Sequence, residues 1–301
     1  MGKQSFWDKP IFHKLFGTTP GDGDIQPKEA IAYSIAGFGQ NFICTIIGSY
    51  LTVFMTDALG FDLSATVFGA SGVVAVAWLM LGTRIFDAFN DPIMGSIVDR
   101  TRTKWGKCRP YLKWMAIPIA IMTILCFLPF YPSNNVGFAL VGAIYVIWSV
   151  VYTIADVPYW GLSTAMVNDT TKRGNMLTVA RLFCTAGAGL VTVFVPILTN
   201  AVTAKYKYAA GTILNGKDVG GLLDPQYAAQ NASTLRWTYF IVTVVLVVAA
   251  IPMFYYGFKN TKERCAVVNK DEVPSFGHNI KLLFKNDQLM LIVLSGVLGA
   301  A

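Results

Sequence analysis

Apolar positions along this chain fall into long runs broken only by a few charges, not into the alternation of a strand or the one-sided stripe of a soluble helix. The runs cover residues 30–56, 63–98, 111–130, 136–166, 176–204 and 237–258. Each is at least as long as the roughly 20 residues that carry a helix through a bilayer core about 30 Å thick. A seventh run starts near Asp287 and holds only about 15 residues up to Ala301, fewer than a span needs. This reads as a membrane helix begun but not finished, in a chain that continues further. The pattern predicts an all-α membrane protein in four pieces: a polar segment 1–29, a six-helix bundle 30–258, a connecting loop 259–286 and the start of a seventh helix 287–301.

Composition agrees. Of the 301 residues 54% are hydrophobic and 14% charged, with a mean hydropathy of +0.51. Soluble domains carry about 25% charged residues, so an ordinary soluble enzyme, a disordered chain and a nucleic-acid-binding module are excluded. The net charge of +7 is informative only loop by loop. Arg100, Arg102, Lys104, Lys107, Arg109 and Lys113 crowd the connection between the second and third runs. The N-terminal segment, the connection at Lys172 and Arg173, and the stretch from Lys259 to Lys270 are also basic and fall on the same side. Positive loops stay in the cytoplasm, so the N-terminus is expected there, in a multi-pass protein of the cytoplasmic membrane. The loop 205–236 is expected outside and partly ordered at most. Its Asn231-Ala232-Ser233 fits a glycosylation acceptor, a pattern short enough to arise by chance. The polar start has no apolar core near residue 1, so it is not a cleavable signal. The five cysteines show no paired or metal-ligand spacing, and His13 and His278 sit in loop-like sequence that reads as solvated.

Ionisable groups inside membrane helices are costly and mark function. Arg84, Asp87 and Asp91 are spaced i, i+3, i+7 and share one helix face. Two buried carboxylates one turn apart repel unless a proton or cation lies between them, and Arg84 offsets part of the charge. Pro92 weakens the backbone ladder beside them, and Gly95 offers a face for a neighbouring helix to approach. In the fourth run Tyr152, Asp156 and Trp160 form a strip at i, i+4, i+8, with Thr153 beside it. At 1.5 Å per residue, Asp87 and Asp156 each lie about 18 Å from the basic side. Arg181 lies about 13 Å in and Asn41 about 20 Å. Polar groups from four helices at one depth form the arrangement of a transporter site. Asp87, Asp91, Asp156 and Thr153 offer oxygens suited to a hard monovalent cation, sodium first, with a proton or lithium as alternatives. Trp160, Tyr152, Gln40, Asn41 and Arg181 combine a flat apolar face with hydrogen-bonding groups, which suits a sugar. No further cofactor is expected.

The run from Arg84 through Asp87, Asn90, Asp91, Pro92 and Gly95 to Asp99-Arg100-Thr101 resembles the glycoside-pentoside-hexuronide:cation symporters of the major facilitator superfamily. Trp105-Gly106-Lys107-Cys108-Arg109-Pro110, the stretch from Tyr152 to Trp160, Met55 to Gly60 and Arg181-Leu182-Phe183 resemble it as well. The similarity covers nearly all of residues 28–260. It implies the first six of twelve helices, a cation site on Asp87, Asp91, Thr153 and Asp156 with Asn90 nearby, and sugar contacts from Tyr152, Asp156, Trp160 and Arg181. Gly95, Asp99 and Arg100 match the superfamily loop motif that helps to hold the inward gate. One departure matters. Members that carry melibiose have a Lys-Asp pair where this chain has Gln40-Asn41, and that Asp grips the galactosyl sugar. Its loss argues against an α-galactoside and eases an acidic sugar such as a uronide beside Arg181. The expectation is a sugar or glycoside symporter working by alternating access. A non-transporting sugar sensor or a seven-helix receptor is the alternative. No nucleophile–base pair supports an enzyme, and no nucleic-acid partner is expected.

Overall fold

The computed structural model describes residues 9–19, 25–214, 217–264 and 285. Among them, five stretches are long and apolar enough to cross a membrane: Pro27–Ala58, Gly72–Arg100, Asn135–Met166, Thr170–Tyr206 and Pro225–Asn260. The elements run α1 (Pro10–Phe16), α2 (Pro27–Val53), a β1–β2 hairpin (Thr66–Val67, Ala70–Ser71), α3 (Gly72–Arg100), α4 (Arg109–Trp114), α5 (Ala116–Cys126), α6 (Asn135–Met166), α7 (Thr170–Thr203), a β3–β4 hairpin (Ile213–Leu214, Lys217–Asp218) and α8 (Ala228–Asn260).

Helix starts follow local chemistry. Pro27 opens α2 with a preset φ, while Gln26 and Glu29 form a reciprocal capping box. The Asn134 side chain accepts from Gly137 N at 3.0 Å to start α6. The Asp169 carboxylate accepts from the N–H groups of Thr171 and Lys172 to start α7.

Several expectations from sequence shift. The second apolar run does not become one helix, because residues 66–71 fold as a hairpin and α3 starts only at Gly72. The third run is divided at Met115, where Pro118 has no N–H to offer the Trp114 carbonyl, and its helix ends at Cys126. The sixth helix starts at Ala228, nine residues before its apolar run, so Asn231-Ala232-Ser233 lies in helix and not in a loop. The loop before it is more structured than expected, holding the β3–β4 hairpin and two short 3₁₀ turns. The N-terminal segment is no bare tail: α1 packs against α2 and α7 and fully buries Phe16. His13 is part-buried, with Nδ1 3.0 Å from the Thr18 hydroxyl. The expected seventh helix, His278 and Cys265 lie outside the described residues.

Helix α2 is the axis of the bundle. It packs along both α7 and α8, while α3 rests mainly on α6. Small residues allow the close approach. A Cβ at Gly187 would come within 2.7 Å of the Phe38 carbonyl, and one at Gly257 within 2.6 Å of the Ala36 side chain. The carbonyl of Thr192, left without its helical donor by Pro196, is taken by the Tyr50 hydroxyl of α2 at 2.9 Å. Outer faces keep apolar side chains exposed, among them Trp78, Phe89, Leu182 and Phe194, as surfaces meeting lipid or protein do. Gly95 faces open space, so the close helix approach expected there is not formed.

Charged residues tie down both ends of α8. At one end Arg236 donates to the carbonyls of Ala58 and Tyr131 and to the Ser133 hydroxyl, at 2.7, 3.1 and 2.7 Å. At the basic end the chain leaving α8 places Glu263 against the turn before α4. The backbone N–H groups of Lys107, Cys108 and Arg109 all donate to its carboxylate at 2.8 Å. Gly106 precedes them with φ +108, and any Cβ there would run into the Glu263 carboxylate. The neighbouring Arg264 pairs with Glu29 of α2 at 2.7 Å and donates its N–H to the Ala165 carbonyl of α6 at 2.9 Å. Two consecutive residues thus bind α2, α4 and α6 to the end of α8.

Two outcomes follow for a full-length protein carrying this chain. Glu263→Ala leaves three N–H groups without their acceptor at a cost of about 2 kcal/mol. In detergent the Tm should fall by about 2–4 °C, and Gly106→Ala should destabilise in the same direction. Burial, reinforced by the Glu263 carboxylate, pushes the Cys108 thiol up to about 12. Its thiolate is scarce well below that pH, so maleimide should leave Cys108 unmodified at pH 8. Peptide mapping by mass spectrometry checks this, and rapid labelling of native protein would contradict it.

Candidate functional site

Midway along the bundle, a pocket of about 240 Å³ opens between α2, α3 and α6. The predicted residues Asp87, Asp91, Tyr152, Thr153 and Asp156 line it. Arg84 lines it too, beside the two α3 carboxylates.

Asp156 is the meeting point. Its Oδ1 accepts hydrogen bonds from the Tyr152 hydroxyl and from Trp160 Nε1, each at 3.2 Å, and from the Gln40 side-chain amide of α2. Gln40 also reaches the Tyr152 hydroxyl at 3.5 Å. The i, i+4, i+8 strip read from sequence is therefore one connected group, with the central carboxylate held by donors above and below it. The Arg181 guanidinium of α7 stacks over the Trp160 ring, 4.0 Å from its centroid. Four of the residues predicted for a sugar thus form a platform around Asp156: Gln40, Tyr152, Trp160 and Arg181. Asn41 stands apart, because its side-chain amide donates back to the Gly37 carbonyl of its own helix at 2.9 Å.

The residues predicted for a cation lie on the other side of Asp156. Asp91 accepts from the Thr153 hydroxyl at 3.0 Å, and Asp87 accepts from the Ser149 hydroxyl. Both pairs are 62 residues apart in sequence, so α3 and α6 run in the same direction and match one turn with one turn. Asn90 is half-buried but does not line the pocket, and its amide nitrogen is buried without a partner. The Gln40 side-chain oxygen is likewise buried and unpartnered beside Asp156. Among the described residues, no three acidic, histidine or cysteine side chains close around one point as a metal cage. The oxygens instead line the pocket as two carboxylate–hydroxyl pairs, with Asp156 beyond them. Of the residues predicted for gating, Asp99 pairs with Lys107 at 2.9 Å at the basic end, where Arg100 is exposed.

Sequence reasoning missed part of the lining. Tyr145 and Trp148, which were not singled out, stack in a column with the predicted Tyr152 down α6, with ring centroids 6.0 and 5.0 Å apart. Cys44 and Gly48 of α2 close the opposite wall. Ser149 was findable: it stands four residues before Thr153, as Asp87 stands four before Asp91.

With this geometry in view, the comparisons with known proteins are direct. The family described as MFS/sugar transport protein matches residues 32–301. The chain belongs to that family, in the branch of glycoside-pentoside-hexuronide:cation symporters, and its helices form part of the N-terminal half of the major facilitator fold. It is 28% identical over 268 residues to a protein of Lactiplantibacillus pentosus named isoprimeverose transporter, covering 88% of this chain and 48% of that protein. It is 28% identical over 263 residues to the putative glycoside/cation symporter YagG of Escherichia coli, covering 87% and 48%. With a protein of Bacillus subtilis named uncharacterized symporter YnaJ it shares 36% identity over 176 residues, covering 58% and 35%. The chain spans about half the length of the curated relatives it matches.

Proposed function

We propose that this chain supplies the first half of a sugar transporter that moves a glycoside together with a monovalent cation, sodium foremost, by alternating access. The observation that carries the reading is the position of Asp156. It stands between the aromatic–guanidinium platform of Trp160 and Arg181 and the carboxylate–hydroxyl pairs of α3 and α6. A sugar ring stacked on the indole would find Arg181 and the unpartnered Gln40 oxygen as hydrogen-bonding groups. A cation among the Asp87 and Asp91 oxygens would offset their mutual repulsion. Because Asp156 borders both regions, each ligand would change the field felt by the other, and coupling requires such a shared group. The names of the relatives favour glycosides as the substrate class. Arg181 and the absence of an acidic side chain at Gln40-Asn41 keep uronides in that class. The crowding of basic residues in the loops on one side supports a cytoplasmic N-terminus in this reading.

The test uses full-length protein in sealed vesicles and a panel of labelled neutral glycosides and uronides. An imposed sodium gradient should drive uptake of at least one, and Asp87→Asn should abolish the sodium dependence. Trp160→Phe, which keeps a stacking face but loses the indole donor, should weaken substrate half-saturation by about tenfold, the worth of one hydrogen bond to a charged group. Trp160→Ala should weaken it further. If gradients of sodium, lithium and protons drive none of the panel, the reading fails. Binding without uptake would favour the sensor instead.

A further inference from the structure

Hydroxyl side chains inside a helix bundle have a ready local acceptor, the carbonyl one turn back. Most buried hydroxyls here take it. Ser34, Thr83 and Thr123 donate to the carbonyls of Ala30, Leu79 and Ile119, at 2.9, 2.9 and 2.6 Å. Ser149 and Thr153 do not. Both turn away from their own helix and donate to carboxylates of α3. Ser149 is only 3% exposed, and its hydroxyl sits in the wall of the same pocket.

We propose that Ser149 is a positioning and ligand residue of the cation site, equal in role to Thr153, so that the site has two rungs: Asp87–Ser149 and Asp91–Thr153. The parallel course of α3 and α6 sets the rungs four residues apart, a rise of about 6 Å. Oxygens opposite one another across a calcium-sized ion, to which sodium is close in radius, are separated by about 5 Å. Side chains leaning together by about 1 Å bring the two rungs to that span, so one ion fits between them. Each hydroxyl keeps a lone pair for the cation while its O–H donates to the carboxylate, fixing which oxygen turns toward the ion. Hard oxygen ligands of this kind favour sodium and lithium over softer ions. Ser149 thus adds a fourth oxygen-bearing side chain to the pair of carboxylates and the threonine.

The inference rests on the cation-coupled reading above, and its test is separable from transport. Sodium is titrated into purified full-length protein, and tryptophan fluorescence is followed, since Trp148 lines the same pocket. Ser149→Ala should raise half-saturating sodium about tenfold or more, as loss of a hydrogen bond to a charged group does. Ser149→Cys, nearly the same size but with a soft sulfur, should show the same loss and guards against a packing artefact. Ser149→Thr, which keeps the hydroxyl, should remain within about threefold of the wild type. Glycoside affinity at saturating sodium should change less than about twofold in every variant that keeps its fold. Unchanged sodium curves in Ser149→Ala and Ser149→Cys would overturn the inference. So would a Ser149→Thr as weak as Ser149→Ala, or a wild type that binds neither sodium nor lithium. If vesicle uptake fails while the sodium titrations behave as stated, the transport reading falls and the two-rung site stands.

Discussion

A polar group in the apolar interior of this bundle is costly unless it finds a partner there. That constraint fixes the arrangement of the middle of the molecule. Asp156 is held by three donors from two helices. Asp87 and Asp91 are held by hydroxyls that forgo their own backbone to reach them. The same rule governs the backbone, where the Thr192 carbonyl released by Pro196 is recovered by Tyr50 from another helix. Each satisfied group sets the rotation of one helix against the next, so the packing of α2, α3 and α6 is specified by chemistry at their centre as much as by apolar contact.

The placement of α2 matters most to the site. Its contacts with α7 and α8 are close because glycines meet backbone and alanine there. That closeness brings Gln40 onto Asp156, and α7 carries Arg181 to the face of Trp160. The central α2 therefore joins the platform to the body of the bundle, whereas α3 is held at the pocket mainly by α6.

Much of this was legible in sequence because membrane helices expose their logic. A charge in an apolar run has few innocent explanations, and helical spacing alone put Asp87 with Asp91 and Asp156 with Trp160. Equal depth from the basic loops grouped Asp87, Asp156, Arg181 and Asn41, and of these the structure turns Asn41 away, with Gln40 reaching Asp156 from α2 instead. What sequence could not give was which neutral polar residues take part. Asn41 looks as polar as Gln40, but one residue of rotation, about 100°, turns it to its own backbone. Ser149 looks like any helix serine until the register of α3 against α6 is known. The ends of the bundle were less legible still, since Glu263 and Arg264 read as ordinary loop charges. Their partners lie 154 to 156 and 235 residues away.

The pairing at Glu263 and Arg264 has a mechanical consequence. These residues lie where the chain leaves α8, so a pull arriving along the following segment meets them before it meets any helix. Opposite charges on consecutive residues distribute that load in two directions, through Glu263 to the turn before α4 and through Arg264 to the start of α2 and the end of α6. Strain on that segment is therefore shared among α2, α4 and α6 as well as α8.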